Sequence, residues 1–317
     1  MANWLITGGA GFIGSSIVET LVLKGENVRV LDNLSSGKKE NLNNVLNKIE
    51  LFIGDIRDQK IVKKAVQDSD YILHQAAMRS VPQSVEYPET CNSINISGTL
   101  DCLMAAKKAG VKKFVFASSS SIYGDSLIFP QREKNLPQPI SPYAVSKLCG
   151  EYYAKVFAKT YGLPTIALRY FNVYGPKQDP KSKYAAVIPK FIISALKGEK
   201  IEVHWDGKQS RDFSYVMDVA QANIKAALAK TSSFGVYNVA CGQTTSLLEI
   251  ITLLEKLLGK KLCKEFYPKR AGDVKKTFAD ISSIKKDLNF KPQFNFKIGL
   301  RQTLEYFSKN DRWKDYE

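Results

Sequence analysis

The first fourteen residues constrain the fold more than any other part of this 317-residue chain. The apolar run Trp4-Leu5-Ile6-Thr7 is typical of a buried strand, and Gly8-Gly9-Ala10-Gly11-Phe12-Ile13-Gly14 follows it and opens a helix-like periodicity. The first glycine of such a turn permits a tight bend, the second lets backbone approach a pyrophosphate, and the third lets the helix pack closely on the strand. The helix N-terminus would then face the phosphates. The sequence therefore predicts a dinucleotide-binding unit at its start.

The second predicted strand indicates which dinucleotide is bound. Val28–Leu31 ends at Asp32-Asn33, about 20 residues after the glycine turn, where a carboxylate meets the adenosine ribose in such units. A carboxylate accepts a hydrogen bond from the ribose 2′-OH and repels a 2′-phosphate, so we expect NAD rather than NADP. Lys38 and Lys39 keep the alternative open, because they could neutralise a 2′-phosphate if their loop folded back.

Strands and helices continue to alternate as far as Leu168, and this order predicts an α/β fold with a doubly wound parallel sheet of the Rossmann type. Ligands in such sheets collect at the carboxyl ends of the strands. The segments expected to meet at that edge are the glycine turn, Asp32, Gln75-Ala76-Ala77 and Ser118–Ser121.

Beyond Leu168 the alternation stops, and glycine, proline and aromatic residues become frequent. This change predicts a smaller C-terminal α/β lobe that binds substrate. We expect residues 1–169 to form the cofactor-binding domain, with a return of the chain to it at about 212–242. Residues 170–211 and 243–317 would form the smaller lobe.

The bulk composition excludes several classes of protein. No apolar run is long enough to cross a bilayer, and the N-terminus lacks the basic region of a signal peptide. Five cysteines without close pairs favour reduced thiols, so we expect a cytoplasmic protein without a membrane partner. Only two histidines are present, and we expect no metal site.

The net charge of +15 allows two interpretations. A basic protein can bind nucleic acid, but these lysines are scattered in pairs and no nucleic-acid motif accompanies them. We therefore expect no nucleic-acid partner. A positive field would instead help to attract an anionic substrate.

Ser141-Pro142-Tyr143-Ala144-Val145-Ser146-Lys147 predicts the start of a helix with an acid/base pair on it. Ser141 can cap this helix, and Pro142 suits its first position because the missing N–H costs nothing there. Tyr143 and Lys147 then share one face of the helix.

The energetics of this pair indicate a partner. A phenol with an ordinary pKa of about 10 costs about 4 kcal/mol to ionise at pH 7. One cation about 6 Å away returns only about 2.8 kcal/mol at an effective dielectric constant of about 20. Lys147 alone would therefore fall short, whereas an adjacent oxidised nicotinamide, also cationic, could supply the rest. A serine hydroxyl could orient the substrate alcohol.

Across nearly its whole length the sequence carries a set of motifs that is specific when taken jointly. They are Gly8–Gly14, Asp55-Ile56, Asn95–Thr99, Ser118–Gly124, Ser141–Lys147, Arg169–Pro176, Gly207 with Arg211-Asp212-Phe213, and Arg270–Asp273. With them the chain resembles the extended short-chain dehydrogenase/reductase family, and within it the UDP-N-acetylglucosamine and UDP-glucose 4-epimerases.

The resemblance implies a role for each matching residue. Tyr143 would be the base, Lys147 its electrostatic partner and ribose anchor, and Ser119 the hydroxyl on the substrate, with Ser120 and Ser121 as alternatives. The other expected cofactor contacts are Gly8, Gly11, Phe12, Ile13, Gly14, Asp32, Asn33, Asp55, Ile56, Gln75, Ala76, Ala77, Asn95 and Tyr170. The other expected substrate contacts are Arg79, Ser80, Asn172, Ala186, Val187, Arg211, Arg270, Asp273 and Thr277, of which Asn172, Arg211, Arg270 and Asp273 would hold the nucleotide diphosphate and ribose.

The resemblance also bears on the sugar. Galactose-type members often carry a bulky residue four positions after the aspartate of Arg-x-Gly-Asp, and here that position is Thr277. A smaller side chain leaves room for a 2-acetamido group. We therefore expect 4-epimerisation of UDP-GlcNAc/UDP-GalNAc through a 4-keto sugar, with activity also on UDP-glucose/UDP-galactose.

Three alternatives stay open. The chain could act on UDP-glucose only, or on a UDP-uronate whose carboxylate pairs with Arg79. A non-catalytic protein that binds NAD and a nucleotide sugar is a different class, although such proteins usually lack Tyr143 or Lys147. A 4,6-dehydratase is disfavoured, because Ser120-Ser121 stand where its Asp-Glu pair belongs. The resemblance further implies a homodimer joined by helices near Glu89–Ala109 and Pro142–Tyr161.

Overall fold

The computed structural model describes residues 1–180, 187–230, 233–269 and 274–310. Within these ranges the strands are β1 (Asn3–Thr7), β2 (Asn27–Asp32), β3 (Ile49–Ile53), β4 (Tyr71–His74), β5 (Lys113–Ser119), β6 (Thr165–Tyr170), β7 (Val173–Tyr174), β8 (Ile201–His204), β9 (Ser210–Arg211), β10 (Ser214–Tyr215), β11 (Gly235–Val239), β12 (Thr245–Ser246) and β13 (Lys264–Tyr267). Seven of them form one sheet, parallel throughout, in the order β11-β6-β5-β4-β1-β2-β3. The prediction of a doubly wound parallel sheet is confirmed.

Helices cover both faces of this sheet. They are α1 (Phe12–Leu23), α2 (Gln59–Val66), α3 (Val81–Glu86), α4 (Pro88–Asn92), α5 (Gly98–Lys108), α6 (Pro142–Thr160), α7 (Val187–Lys197), α8 (Val216–Leu228), α9 (Leu247–Leu258), α10 (Ser282–Leu288) and α11 (Phe296–Lys309). Side chains alternate across each strand, so Ile6 packs with α1 and α8 while Leu5 packs with α2, α5 and α6 on the other face.

The chain order reverses at β1, which pairs with β2 on one side and with β4 on the other. At this switch point the connections leave the sheet in opposite directions and open a crevice beyond the strand ends. Thr7, the last residue of β1, lies opposite Leu31 and His74, so the glycine turn enters the middle of that crevice.

Helix α6 begins as its sequence predicts. The Ser141 side chain accepts a hydrogen bond from the backbone N–H of Ala144 at 3.2 Å, and Pro142 occupies the first turn. The long helix predicted near Glu89–Ala109 differs, because a π-helical turn at Ser93–Ser97 separates α4 from α5. Single π turns of this kind occur often beside functional sites.

Among the residues that the structure describes, the smaller lobe consists of three two-stranded pairs, β7 with β10, β8 with β13 and β9 with β12, together with α7, α9 and α11. Its core is separate from that of the large sheet and is built from side chains of all three helices: Ile188, Ile192, Ile250, Leu254, Leu300 and Leu304.

The returning segment reaches the large sheet through α8 and β11, and β11 pairs with β6. Helix α10 also contributes to that core through Ile284 and Leu288, although the predicted boundaries assign it to the smaller lobe. This contact depends on residues far apart in sequence, which local patterns do not reveal. The domain boundaries themselves stay a prediction.

None of the helices in the described ranges combines the length and apolar character needed to cross a membrane. The same part of the chain holds no cluster of three or more histidine, cysteine or acidic side chains arranged for a metal ion.

Candidate active site

The glycine turn between β1 and α1 tolerates no side chain at two positions. Gly8 has a φ of +67°, and a Cβ there would lie 2.7 Å from the backbone nitrogen of Ala76. A Cβ on Gly14 would lie 2.1 Å from the carbonyl oxygen of Gly8. The close approach of helix and strand predicted from the sequence is therefore present, and it leaves the N-terminus of α1 facing the crevice.

The crevice is a cavity of about 740 Å³ at the carboxyl ends of the parallel strands. It brings most of the expected cofactor contacts together. Those on its wall are Gly8, Gly11, Phe12, Ile13, Gly14, Asp32, Asn33, Asp55, Ile56, Gln75, Ala76, Ala77, Tyr143, Lys147 and Tyr170, and two expected substrate contacts, Arg79 and Ser80, join them.

Asp32 holds the loop beside the expected ribose position. Its carboxylate accepts backbone N–H groups from Ala10 at 2.9 Å and from Leu34 at 2.8 Å. Burial raises the pKa of Asp32, and these two hydrogen bonds oppose the rise. Lys38, which could have neutralised a 2′-phosphate, lies 4.0 Å from the carboxylate of Asp179 instead. The arrangement favours a free ribose hydroxyl at Asp32.

A charged cluster lies at the cavity wall where the adenine is expected. The Asp55 carboxylate accepts from both Nε and Nη2 of Arg57 at 2.8 Å and from the Asn33 amide at 2.9 Å. The Arg57 hydrogen bonds lower the pKa of Asp55 to about 2. Sequence reasoning missed Arg57, although its position two residues after Asp55 was a usable signal.

Tyr143 and Lys147 project from the first turns of α6 into the cavity. The Lys147 ammonium donates to the carbonyl of Ala117 at 2.9 Å and lies 5.8 Å from the centre of the Tyr143 ring. Burial raises the pKa of Tyr143, while a hydrogen bond with Ser119 and the positive charge of Arg79 oppose the rise. Burial lowers the pKa of Lys147 to about 8. Burial therefore favours the neutral phenol of Tyr143 in this arrangement.

Asn95 does not line the cavity, in contrast to its expected role as a cofactor contact. Its Oδ1 accepts the N–H of Met78 at 2.7 Å, and its Nδ2 donates to the carbonyl of Met78 at 3.0 Å and to the Ser146 hydroxyl at 2.9 Å. These hydrogen bonds occupy both the donor nitrogen and the acceptor oxygen of the Asn95 amide. Asn95 therefore ties the loop that precedes Arg79 to helix α6, and local sequence gave no sign of such a contact.

The serines of the run Ser118–Ser121 make different contacts. Ser119 interacts with Tyr143 and accepts the N–H of Ser121 at 3.1 Å, so it caps the short helical turn Ser120–Tyr123. The Ser121 hydroxyl is buried without a hydrogen-bond partner among the described residues. Of the three expected substrate serines, Ser119 is the one placed against Tyr143.

Behind the site lies a buried ion pair that sequence reasoning missed. Arg169 on β6 pairs with Glu151 on α6 at 2.7 Å, and both side chains are about 95% buried, with exposed fractions of 4% and 5%. Arg169 also donates to the Tyr123 hydroxyl, and Ser118 donates to Glu151. The pair thereby joins α6, β5 and β6, the elements that carry Tyr143, Ser119 and Tyr170.

The expected substrate contacts on the smaller lobe are only partly described. Arg211 lies on β9, Val187 begins α7, and Asn172 and Thr277 face each other at 2.9 Å. Ala186, Arg270 and Asp273 lie outside the described residues. Both hydrogens of the Asn172 amide are donated within the protein, to Thr277 and to the carbonyl of Asp212, so its side chain has no donor left for a diphosphate.

A loop from the smaller lobe, Gly175–Pro180, closes one side of the cavity with Lys177 and its three successors. The Lys177 ammonium lies 2.7 Å from the Glu19 carboxylate of α1 and donates to the carbonyl of Asn41 at 2.8 Å. We call this segment the strap. It connects the two lobes across the edge of the cofactor cavity.

Residues 4–240 match the family model for the NAD dependent epimerase/dehydratase family. The chain belongs to this family. The glycine cradle, the acid after β2 and the Tyr143/Lys147 pair fit the family's cofactor, and the prediction of NAD is confirmed.

Individual members of the family extend this finding. The putative UDP-glucose 4-epimerase of Methanocaldococcus jannaschii is 38% identical over 97% of this chain and 99% of that protein. A UDP-glucuronate 4-epimerase of Thermodesulfobacterium geofontis is 36% identical over 98% and 97%. The UDP-N-acetylglucosamine 4-epimerase of Methanobrevibacter ruminantium, solved with UDP-N-acetylmuramic acid, is 42% identical over 97% of this chain and 98% of that chain, with a TM-score of 0.93. The chain is thus a nucleotide-sugar 4-epimerase of the NAD-dependent type.

Proposed function

We propose that this epimerase interconverts UDP-GlcNAc and UDP-GalNAc and also acts on UDP-glucose and UDP-galactose. The observation that carries the N-acetyl preference is Thr277, a short side chain at the position where related enzymes often place a bulky one. Its hydroxyl accepts a hydrogen bond from the Asn172 amide at 2.9 Å. The likeness to the M. ruminantium enzyme supports the same choice.

In the proposed mechanism the chain's own residues hold the cofactor and move one proton. The Gly8–Gly14 backbone and Asp32 would bind the pyrophosphate and ribose, and Lys147 would anchor the second ribose. NAD⁺, when bound, supplies a hydride acceptor at the sugar C4 and a cation near Tyr143. Tyr143 then removes the proton of the 4-OH, and Ser119 orients that hydroxyl.

Rotation of the resulting 4-keto sugar requires a tight grip on the nucleotide and a loose one on the sugar. Arg211 and Arg270 are proposed to hold the diphosphate, because guanidinium groups can bind phosphate oxygens bidentately. Asp273, Ala186 and Val187 would complete the nucleotide site. After rotation, Tyr143 would return the proton to the 4-oxygen, and the bound cofactor, reduced when it accepts the hydride of C4, would supply that hydride to the opposite face.

Steady-state epimerisation of UDP-GlcNAc and UDP-glucose by wild type and Thr277→Tyr tests the sugar assignment. We expect turnover of both sugars by wild type, and a selective loss of UDP-GlcNAc turnover in the variant because the larger side chain fills the space of the acetamido group. Turnover confined to UDP-glucose in wild type would contradict the N-acetyl proposal.

UDP-uronate is a second candidate substrate because of Arg79. Its side chain is on the cavity wall and its charge reaches Tyr143, so it could pair with a C6 carboxylate near the base. Turnover of UDP-glucuronate that depends on Arg79 would favour this candidate over a neutral hexose.

A binding protein without catalysis is the alternative of a different class. Tyr143→Phe distinguishes the two, because removal of the phenolic proton acceptor should lower turnover by about 10²–10⁴-fold while NAD stays bound. Tyr161→Phe, at the exposed end of the same helix, is the matched control and should keep full turnover. Equal rates for Tyr143→Phe and wild type would show that the base is misassigned.

We also propose a homodimer. Exposed apolar side chains form a stripe on α6 (Val145, Tyr152 and Val156), and Met104 of α5 is also exposed. Two copies of such a face can cover each other about a two-fold axis.

A further inference from the structure

Helix α8 carries a polar side chain in the core behind the cofactor cavity. Asn223 is fully buried, with an exposed fraction of 0%. Its Oδ1 lies 2.9 Å from the Tyr170 hydroxyl and 3.0 Å from Nε2 of Gln75, and both of those residues line the cavity. Asparagine is a poor helix former, and a buried amide needs partners for its polar atoms. The three side chains therefore form one polar cluster between α8 and the cavity wall.

A single backbone carbonyl fixes the hydrogen-bond roles in this cluster. Nδ2 of Asn223 donates to the carbonyl of Val219 at 2.8 Å, and a carbonyl can only accept. Oδ1 of Asn223 must then face the other two side chains as an acceptor. Gln75 consequently turns Nε2 toward Asn223, and its Oε1 lies 3.1 Å from the Tyr170 hydroxyl. That hydroxyl has one hydrogen and two neighbouring acceptor oxygens, so it donates into the cluster.

Tyr170 stands at the catalytic end of the cavity. Its backbone lies opposite Ser119 of β5 in the sheet, and Ser119 is the serine placed against Tyr143. Burial raises the pKa of Tyr170, and negative charge on Tyr143 raises it further. Both effects favour the neutral phenol of Tyr170, whose polar end points toward α8.

Loss of the Asn223 acceptor would leave two donors without their partner, the hydroxyl of Tyr170 and the N–H of Gln75. Buried donors without partners cost free energy until they find new ones. Because both residues border the cavity, their polar ends could regain partners by turning into the space of the cofactor.

We propose that Asn223 is a positioning residue for the cofactor, which holds Tyr170 and Gln75 against the cavity wall from the core side of the sheet. Asn223 itself is not on the cavity wall, so it acts through these two side chains. A wall that is already ordered lowers the cost of binding NAD. The inference goes beyond the proposed function, because it does not depend on which UDP-sugar is turned over.

Four substitutions separate positioning from general packing. Asn223→Leu removes the acceptor and keeps the branched shape of the side chain, and Asn223→Ala removes it without any risk of overpacking. Tyr170→Phe removes one of the two donors and keeps the ring. Gln221→Leu is the matched control, since it removes an amide on the same helix that donates to Gln293 at an exposed site.

The experiment measures the release of bound NAD into an excess of labelled NAD, and the Kd of UDP by calorimetry on the NAD-loaded protein. For Asn223→Leu and Asn223→Ala we expect NAD release about tenfold faster, as for the loss of a buried hydrogen-bond partner, and a Kd of UDP within about twofold of wild type. Gln221→Leu should match wild type in both measurements. In the Tyr170→Phe background, Asn223→Leu should speed release less than about threefold, whereas lost packing alone would act equally in both backgrounds.

Two results would overturn the inference. In one, Asn223→Leu and Asn223→Ala release NAD at the wild-type rate. In the other, Asn223→Leu speeds release as much in the Tyr170→Phe background as in wild type. Failure of the UDP-GlcNAc assignment would appear in wild-type turnover and would leave these release rates unchanged, so the two failures are distinguishable.

Discussion

Among single residues, Tyr143 poses the main chemical question, which is how a buried phenol becomes a base. Lys147 and Arg79 place positive charge near Tyr143, yet burial still keeps the Tyr143 pKa above its ordinary value. The missing cation is the oxidised nicotinamide in the proposed mechanism. The site should therefore be basic mainly when NAD⁺ is bound.

This argument predicts that the titration of Tyr143 depends on the redox state of the cofactor. With NAD⁺ bound, the pKa of Tyr143 should lie below its value in the NADH-bound protein, because only the oxidised ring is cationic. Ultraviolet difference spectra of phenolate formation, with Tyr143→Phe as the subtraction control, measure both values. The same pKa in the two redox states would refute the argument.

The pH profile of turnover should also decline on its alkaline side because Lys147 loses its charge there. Burial lowers the Lys147 pKa to about 8, so its charge is present below pH 8 and is lost as the pH rises through that value. Turnover should decline above about pH 8, since Tyr143 then loses a neighbouring cation. Lys147→Arg, which stays charged, should lack this decline even if its rate is lower, whereas Lys159→Arg on the exposed face of α6 should retain it. An alkaline decline that persists unchanged in Lys147→Arg would contradict this assignment.

Local spacing was enough to predict that the proposed catalytic pair shares one helix face at the cavity. A capped helix start places Tyr143 and Lys147 on one face of α6. A glycine-rich turn between a strand and a helix is typical of a dinucleotide-binding unit. Contacts between distant segments were not predictable in this way. Asn95 forms hydrogen bonds with Met78 and Ser146, which are distant from it in sequence. The hydrogen bond between Asn172 and Thr277 likewise joins residues more than 100 positions apart.

At the scale of elements, the buried Arg169–Glu151 pair fixes helix α6 against β6. Removal of one partner leaves an uncompensated buried charge, so Arg169→Met should destabilise the fold by about 3–5 kcal/mol. Replacing both partners by methionine should recover much of that loss. The half-exposed pair of Arg29 and Glu50 is the control, and Arg29→Met should cost less than about 1 kcal/mol. Chemical denaturation gives the free energy of unfolding of wild type, Arg169→Met, the double variant and Arg29→Met. Similar losses for Arg169→Met and Arg29→Met would argue against a structural role of the buried pair.

The strap is a second element with a measurable effect. Lys177 holds it to α1 across the edge of the cofactor cavity, and the loss of that ion pair should let the strap open more often. We expect Lys177→Met to release NAD about tenfold faster, which corresponds to about 1.4 kcal/mol. Lys200→Met breaks an exposed ion pair with Glu265 far from the cavity and should leave the release rate unchanged. Equal release rates for Lys177→Met and wild type would show that the strap does not retain NAD.

Periodicity was sufficient to place most elements of the large sheet, because parallel strands between amphipathic helices have a distinct pattern. It did not reveal the π turn at Ser93–Ser97, since the residues there still follow a helical pattern. It also did not reveal that α10 packs on the large sheet, because that contact is decided by the path of the chain after β13.

At the scale of the whole molecule, the apolar face of α5 and α6 predicts the oligomeric state. Tyr152 is 55% exposed and Val156 is 46% exposed in the single chain, on the outer side of a helix whose inner side is packed. We expect a mass of two chains in solution. Val156→Asp should shift this toward one chain, and Leu23→Asp on the exposed end of α1 should not. A single-chain mass for wild type at micromolar concentration would exclude the dimer.

We propose that this protein inverts C4 of a UDP-N-acetylhexosamine with a cofactor that is regenerated in each turnover. The most direct measurement incubates the NAD-loaded protein, without added NAD, separately with UDP-GlcNAc and with UDP-GalNAc and follows both sugars to equilibrium. We expect the same mixture from either side, with far more than one sugar converted per bound NAD. No interconversion, or conversion that stops after one turnover, would contradict it.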